Sequence, residues 1–188
     1  MAMSTTVGND RLWRGLRWVV WGGAAMLLLL PLIAMQFTAD VRWSPFDFAL
    51  MGLMLALVGG AYELAVRVAR SHVYVVAFGV AVLTAFLMTW ANLAVGIIGE
   101  PDNPANLLFF GVIAVAVIGA VLARLQPPGM ARAMIATAIA QAATCVAALV
   151  LDGVYVFVLT GVFVVLWLIA AQLFRTAARR PAAVMPPR

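Results

Sequence analysis

The sequence predicts an all-α transmembrane protein, a bundle of six helices with both termini cytoplasmic. Three observations predict it. The 188 residues are 66% apolar and only 10% charged, whereas soluble domains carry about a quarter charged residues. The apolar residues fall into six runs near the ~20 residues that a helix needs to cross a bilayer. The arginines sort onto one side of those runs.

The runs lie at about 18–38, 48–69, 73–98, 107–123, 133–151 and 154–174. Residues 1–17 precede them as a cytoplasmic and interfacial segment, and 175–188 follow as a disordered cytoplasmic tail. Within the 188 residues this leaves no soluble domain. The first run starts after a basic stretch, as a signal peptide does, but it is longer than a typical signal core and reads as an uncleaved anchor. Trp13, Trp18 and Trp21 are expected at its inner interface and Trp43 at the outer one, where indole rings are favoured. Pro31 falls inside the run and is expected to kink it, since its ring removes one helix hydrogen bond.

The second and third runs are separated by little more than Ser71 and His72, and the last two by a tight turn at Asp152-Gly153. Fusing the last pair would give one helix of roughly 60 Å at 1.5 Å per residue, twice the thickness of a hydrocarbon core of about 30 Å. With six spans and the N-terminus inside, Arg42 alone of the 12 basic residues lies outside, in accord with the positive-inside rule. Asp40, Asp47, Glu100, Asp102 and Asp152 gather at the outer ends. The net charge of +5 therefore describes topology, and nucleic acid is not an expected partner. The bilayer is.

Gly52, Ala56 and Gly60 recur every four residues on the second run, and Ala136, Ala140, Thr144 and Ala148 on the fifth. Such ladders let backbones approach closely. They suit packing within the chain, against other membrane subunits or in a homo-oligomer. Three spans from inside followed by three from outside is the formal layout of an inverted repeat, without sequence similarity between the halves.

Few residues are candidates for chemistry. Glu63 and Arg67, spaced i, i+4 with the acid first, are expected to form an intramembrane ion pair; Glu63 is also the residue that a transporter would use. Asn92 and Gln141 are neutral amides suited to hydrogen bonding between helices. One histidine and one cysteine cannot assemble a zinc or iron–sulfur site, so no metal and no cofactor is expected. Cys145 reads as a small buried hydrophobe. No nucleophile has a plausible triad partner, no phosphate-binding glycine loop is present, and no catalytic residue is expected.

The segment from Glu100 to Asn106, EPDNPAN, is the one abruptly polar place. Asn103 followed by Pro104 fits the cap and first residue of the fourth span, with Glu100 and Asp102 placed where negative charge suits a helix start. Asn92, Glu100, Asp102 and Asn106 offer more oxygens than a cap uses, and are the candidate ligand- or ion-binding residues at an outer mouth.

The stretch WANLAVGIIGEPDNPANL (90–107) together with PPGMARAM (127–134) resembles a family of small uncharacterised multi-pass bacterial inner-membrane proteins. The resemblance implies an inner-membrane location and assigns no catalytic or binding residues. These readings lead to a small polytopic inner-membrane protein without enzymatic activity, free-standing or an accessory subunit of a membrane complex. The alternative is a small transporter or channel for a cation or polar solute, using Glu63 and the acidic outer mouth.

Overall fold

The computed structural model describes residues 4–69 and 71–179, and among them every regular element is helical. Six helical segments among the described residues are long and apolar enough to cross a membrane, as in a multi-pass membrane protein, the fourth of them counted from Pro104 to Leu122. They are α1 (Ser4–Ala34), α2 (Pro45–Val68), α3 (His72–Val95), α4 (Leu107–Leu122), α5 (Pro127–Asp152) and α6 (Val154–Arg179). A single 3-10 turn, Pro104–Asn106, leads into α4.

The helices overrun or fall short of the apolar runs for local reasons. Helix α1 starts at Ser4, inside the segment expected to precede the span, and Pro31 lies within it. Helix α5 starts at Pro127, six residues before its apolar run, because Pro127 and Pro128 occupy the first turn, where a missing N–H costs nothing. Helix α6 continues to Arg179, five residues into the stretch expected to be disordered; the remainder of that tail lies outside the described residues. Helix α3 stops at Val95, three residues before the predicted end. Gly96 there takes φ 68° and sends its amide back to the Asn92 carbonyl at 3.2 Å.

The chain divides after Leu64 into two compact units. In the first, α2 begins with a reciprocal cap. The amide and hydroxyl of Ser44 both donate to Asp47 Oδ2, at 2.7 and 2.8 Å, and the Asp47 amide donates back to Ser44 Oγ at 3.3 Å. This is a capping box with proline at the first helical position. None of the eighteen residues Arg17–Ala34 is buried. Where α1 does meet α2, Trp21 stands so near Gly59 that a Cβ there would lie 2.8 Å from the indole.

The second unit is built on α5 and α6, antiparallel helices joined through Gly153 alone, with α3 packed on α6 and α4 on α5. The buried face of α5 reads Met130, Met134, Thr137, Gln141, Thr144 and Ala148, steps of three and four that keep one stripe inward. Across it α6 places the bulky Trp167 and Phe174. Tyr74 of α3 meets Phe174 edge to face at 5.3 Å and donates its hydroxyl hydrogen to the Leu125 carbonyl at 2.8 Å. Leu125 and Arg124 both have left-handed backbone, φ 56° and 48°, a conformation that costs an L-residue about 1–2 kcal/mol. Helices α4 and α5 approach closely at two glycines: a Cβ on Gly119 or Gly129 would lie 2.7 Å from the Cβ of Ala133 or Ala123.

The buried threonine hydroxyls are satisfied within their own helices. Thr84, Thr137, Thr144 and Thr160 each donate to the carbonyl four residues back, at 2.7 to 3.1 Å. Cys145 is buried and free. The ladder predicted on α5 is split: Thr144 and Ala148 are buried, whereas Ala136 is exposed. On α2, Ala56 and Gly60 are exposed, and nothing lies within 4 Å of a Cβ built on Gly60.

Candidate functional site

The polar segment after α3 is organised around one side chain, that of Asn106. Gly96 and Gly99, at φ 68° and 63°, fold the chain back so that Ile97 and Ile98 between them are buried. A Cβ on Gly96 would also stand 2.7 Å from the Glu100 carbonyl carbon and Pro101 nitrogen. Glycine is required there twice, for conformation and for space.

Burying Ile97 and Ile98 takes their amides out of water, where an unpaired N–H is expensive. Asn106 Oδ1 accepts from both, at 3.1 and 2.9 Å. Its Nδ2 donates to the carbonyls of Ile98 and Glu100, at 3.3 and 2.9 Å. The four bonds fix the orientation of the amide, because reversing it would set donors against donors. Asn106 is 4% exposed, and its backbone joins the same web. Its amide donates to the Asn103 carbonyl at 2.9 Å, and its carbonyl accepts from Asn92 Nδ2 at 3.1 Å.

The neighbouring residues divide the remaining work. Asn103 Oδ1 accepts from the Ala105 amide at 3.0 Å, capping the turn Pro104–Asn106 as the Asn-Pro pair predicts. Gly99 donates its amide to Asp152 Oδ2 at 2.9 Å, so the α3–α4 loop is fastened to the α5–α6 turn. Nothing in the local sequence pairs these two residues, 53 positions apart. The signal that was available is the pair of glycines flanking two isoleucines, a pattern better suited to a buried turn than to the end of a helix.

The four candidate oxygens separate on this geometry. Both acceptor positions of Asn106 Oδ1 are taken by backbone donors, so it is not open to an ion. Glu100 is exposed and engages the web through its carbonyl. Asp102 is also exposed. Asn92 is 3% exposed; its Nδ2 is used on Asn106, and its Oδ1 is buried without a hydrogen-bond partner. Beside it lies a hollow of about 300 Å³, walled by Asn92 and Leu93, by the loop from Pro101 to Pro104, and by Asn106, Leu107 and Phe110.

Glu63 is placed elsewhere, in the first unit. Its two carboxylate oxygens receive Nε and Nη2 of Arg17 in a bidentate pair, where the sequence spacing pointed to Arg67. Helical periodicity reports neighbours on one helix; Arg17 comes from α1. Gln141 differs as well. Its amide donates to Cys145 Sγ on its own helix at 3.8 Å, and its Oε1 is buried without a partner, as is the indole nitrogen of Trp167. Among the described residues, no group of three His, Cys, Asp or Glu side chains is placed to hold a metal.

Compared with protein-family models, with curated proteins and with solved structures, the chain finds no match.

Proposed function

We propose that this chain is a small polytopic protein of the bacterial inner membrane, both termini cytoplasmic, acting as a non-enzymatic accessory subunit of a larger membrane assembly. The observation that carries the proposal is the first span. None of Arg17–Ala34 is buried, and Cβ atoms built on Gly15, Gly22 and Gly23 would meet nothing within 4 Å. Small residues on a span let another helix approach closely, and among the described residues nothing stands within 4 Å of a Cβ built at Gly22 or Gly23. The orientation rests on the arginines, all but Arg42 of which fall on the side of the termini.

Gentle detergent extraction followed by native mass measurement tests the reading. An assembly heavier than one chain is expected, and Gly22→Leu with Gly23→Leu should dissolve it without lowering the thermal stability of the chain. A lone monomer at every detergent level would overturn it. The transporter reading has weaker support, because it relies on a carboxylate, Glu63, whose oxygens Arg17 already holds.

A further inference from the structure

We infer that the arginine-bearing end of the second unit is a binding site for the phosphate of an anionic phospholipid, gripped by Arg124 and Arg175. The inference needs the helices to cross a membrane, but neither the subunit role nor the orientation proposed above.

The charge at that end is gathered and unanswered. Arg132 lies 21 residues before Gly153 and Arg175 lies 22 after it, so the antiparallel pair α5 and α6 holds them level, roughly 30 Å from the turn at 1.5 Å per residue. Tyr74 ties the α4–α5 turn to the same level. Its hydroxyl reaches the carbonyl of Leu125, next to Arg124, and its ring meets Phe174, next to Arg175. Arg124, Arg132, Arg175 and Arg179 are all exposed, and no described carboxylate pairs with any of them. The acidic residues of the unit, Glu100, Asp102 and Asp152, belong to the opposite ends of its helices.

The backbone at Arg124 is the second observation. Its left-handed φ of 48° is followed by 56° at Leu125, in a turn closed by the amides of the two residues, which donate to the carbonyls of Val121 and Ala120 at 2.9 and 3.2 Å. Glycine adopts such a conformation without strain. The chain instead places there a long cation that no described carboxylate holds. Backbone strain of this kind persists only where its surroundings enforce it, and it gathers at ligand-binding positions.

Guanidinium N–H groups match phosphate oxygens two at a time. Beside that charge the surface is hydrocarbon: Val121 and Leu122, at the end of α4, are 69% and 78% exposed, and Leu168 and Ile169 are exposed about two turns back from Arg175. A phosphate carrying acyl chains uses both parts, whereas a free phosphate uses only the arginines. A choline headgroup would bring its cation among arginines with no carboxylate to receive it. A lipid of net negative charge fits better.

The test is native mass measurement of the full chain in mild detergent, titrated with phosphatidylglycerol and with phosphatidylcholine. Saturable binding of phosphatidylglycerol is expected, about tenfold tighter than that of phosphatidylcholine. Arg124→Gly relieves the left-handed backbone, so it should keep the fold while weakening phosphatidylglycerol binding several-fold. Arg175→Gln should weaken it to a similar degree. Arg124→Lys, which keeps the charge without the paired N–H groups, should lose less than Arg124→Gly. Arg42→Gln removes one charge from the first unit and should leave binding unchanged. A folded chain without preference for phosphatidylglycerol overturns the inference. So does an equal loss in Arg42→Gln, which would reduce the effect to net charge. Displacement of the bound lipid by millimolar inorganic phosphate would overturn it as well, by showing that the acyl chains add nothing.

Discussion

The Gly99 amide and the Asp152 carboxylate meet at 2.9 Å, and through that bond the α3–α4 loop is held against the turn between α5 and α6. Removing the acceptor with Asp152→Ala should free the loop while leaving the helices in place. A hydrogen bond to a charged group contributes about 1.5–3 kcal/mol; at this exposed position about 1 kcal/mol is expected. Amide exchange should accelerate at Gly99 well before it does in α5 or α6, which hydrogen-exchange mass spectrometry resolves. Uniform acceleration across the second unit would contradict this division.

Asn106 should be far less tolerant. Asn106→Leu strands the amides of Ile97 and Ile98 and the carbonyls they sit beside, and at 1–3 kcal/mol for each buried orphan the loss is on the order of 3 kcal/mol or more. Asn106→Asp keeps both acceptor bonds and sets a carboxylate oxygen against the carbonyls of Ile98 and Glu100. It should fall between wild type and Asn106→Leu in thermal unfolding in mild detergent. Equal loss in the two variants would show that the donor side dominates.

The contact between α4 and α5 offers a reciprocal test. Gly119→Ala places its methyl 2.7 Å from the Ala133 Cβ, and overpacking of this kind costs about 1–3 kcal/mol. Ala133→Gly in the same chain removes the obstacle and should recover most of the loss, a coupling read from the double-mutant cycle. Gly111→Ala, where nothing lies within 4 Å, is the matched control and should be neutral.

Arg17 and Glu63 should show the signature of a paired charge. Glu63→Gln takes from Arg17 the carboxylate that it grips, and Arg17→Gln removes the same contact, so the double change should cost less than the sum of the two single changes. Thermal unfolding of the three variants in one detergent checks the order. A double variant whose loss equals the sum of the two single losses would mean that the residues act independently.

Arg124 should gain from a change to glycine. Its φ of 48° and exposed side chain mean that Arg124→Gly relieves backbone strain with little packing lost, for a gain of up to about 1 kcal/mol. Retention of the wild-type melting temperature would place the left-handed turn outside the stability-limiting structure.

The helices were legible in the sequence because a run of about twenty apolar residues has few other ways to satisfy its backbone in lipid. Their ends were less so. The third run was carried to residue 98 because Ile97 and Ile98 are as apolar as the helix before them; hydropathy cannot separate an apolar helix from a buried apolar turn. Asn103 and Pro104 were legible as a cap because a cap is a local arrangement. The role of Asn106 was not, since its partners are backbone groups six to nine residues away whose burial depends on two glycines. Arg17 was missed as the partner of Glu63 for a related reason: spacing along one helix carries no information about which neighbouring helix brings a charge alongside.

The single-residue junction at Gly153 also bears on biosynthesis. Two 26-residue helices joined through one glycine leave no slack for one to be threaded into a bilayer while the other waits outside. Such a pair is suited to enter an apolar phase together, as a helical hairpin. Between Arg132 and Arg175 the only formal charge such a hairpin carries is Asp152, at its tip. The residue that anchors the loop is thus also the one that sets an acidic side chain at the tip of the hairpin.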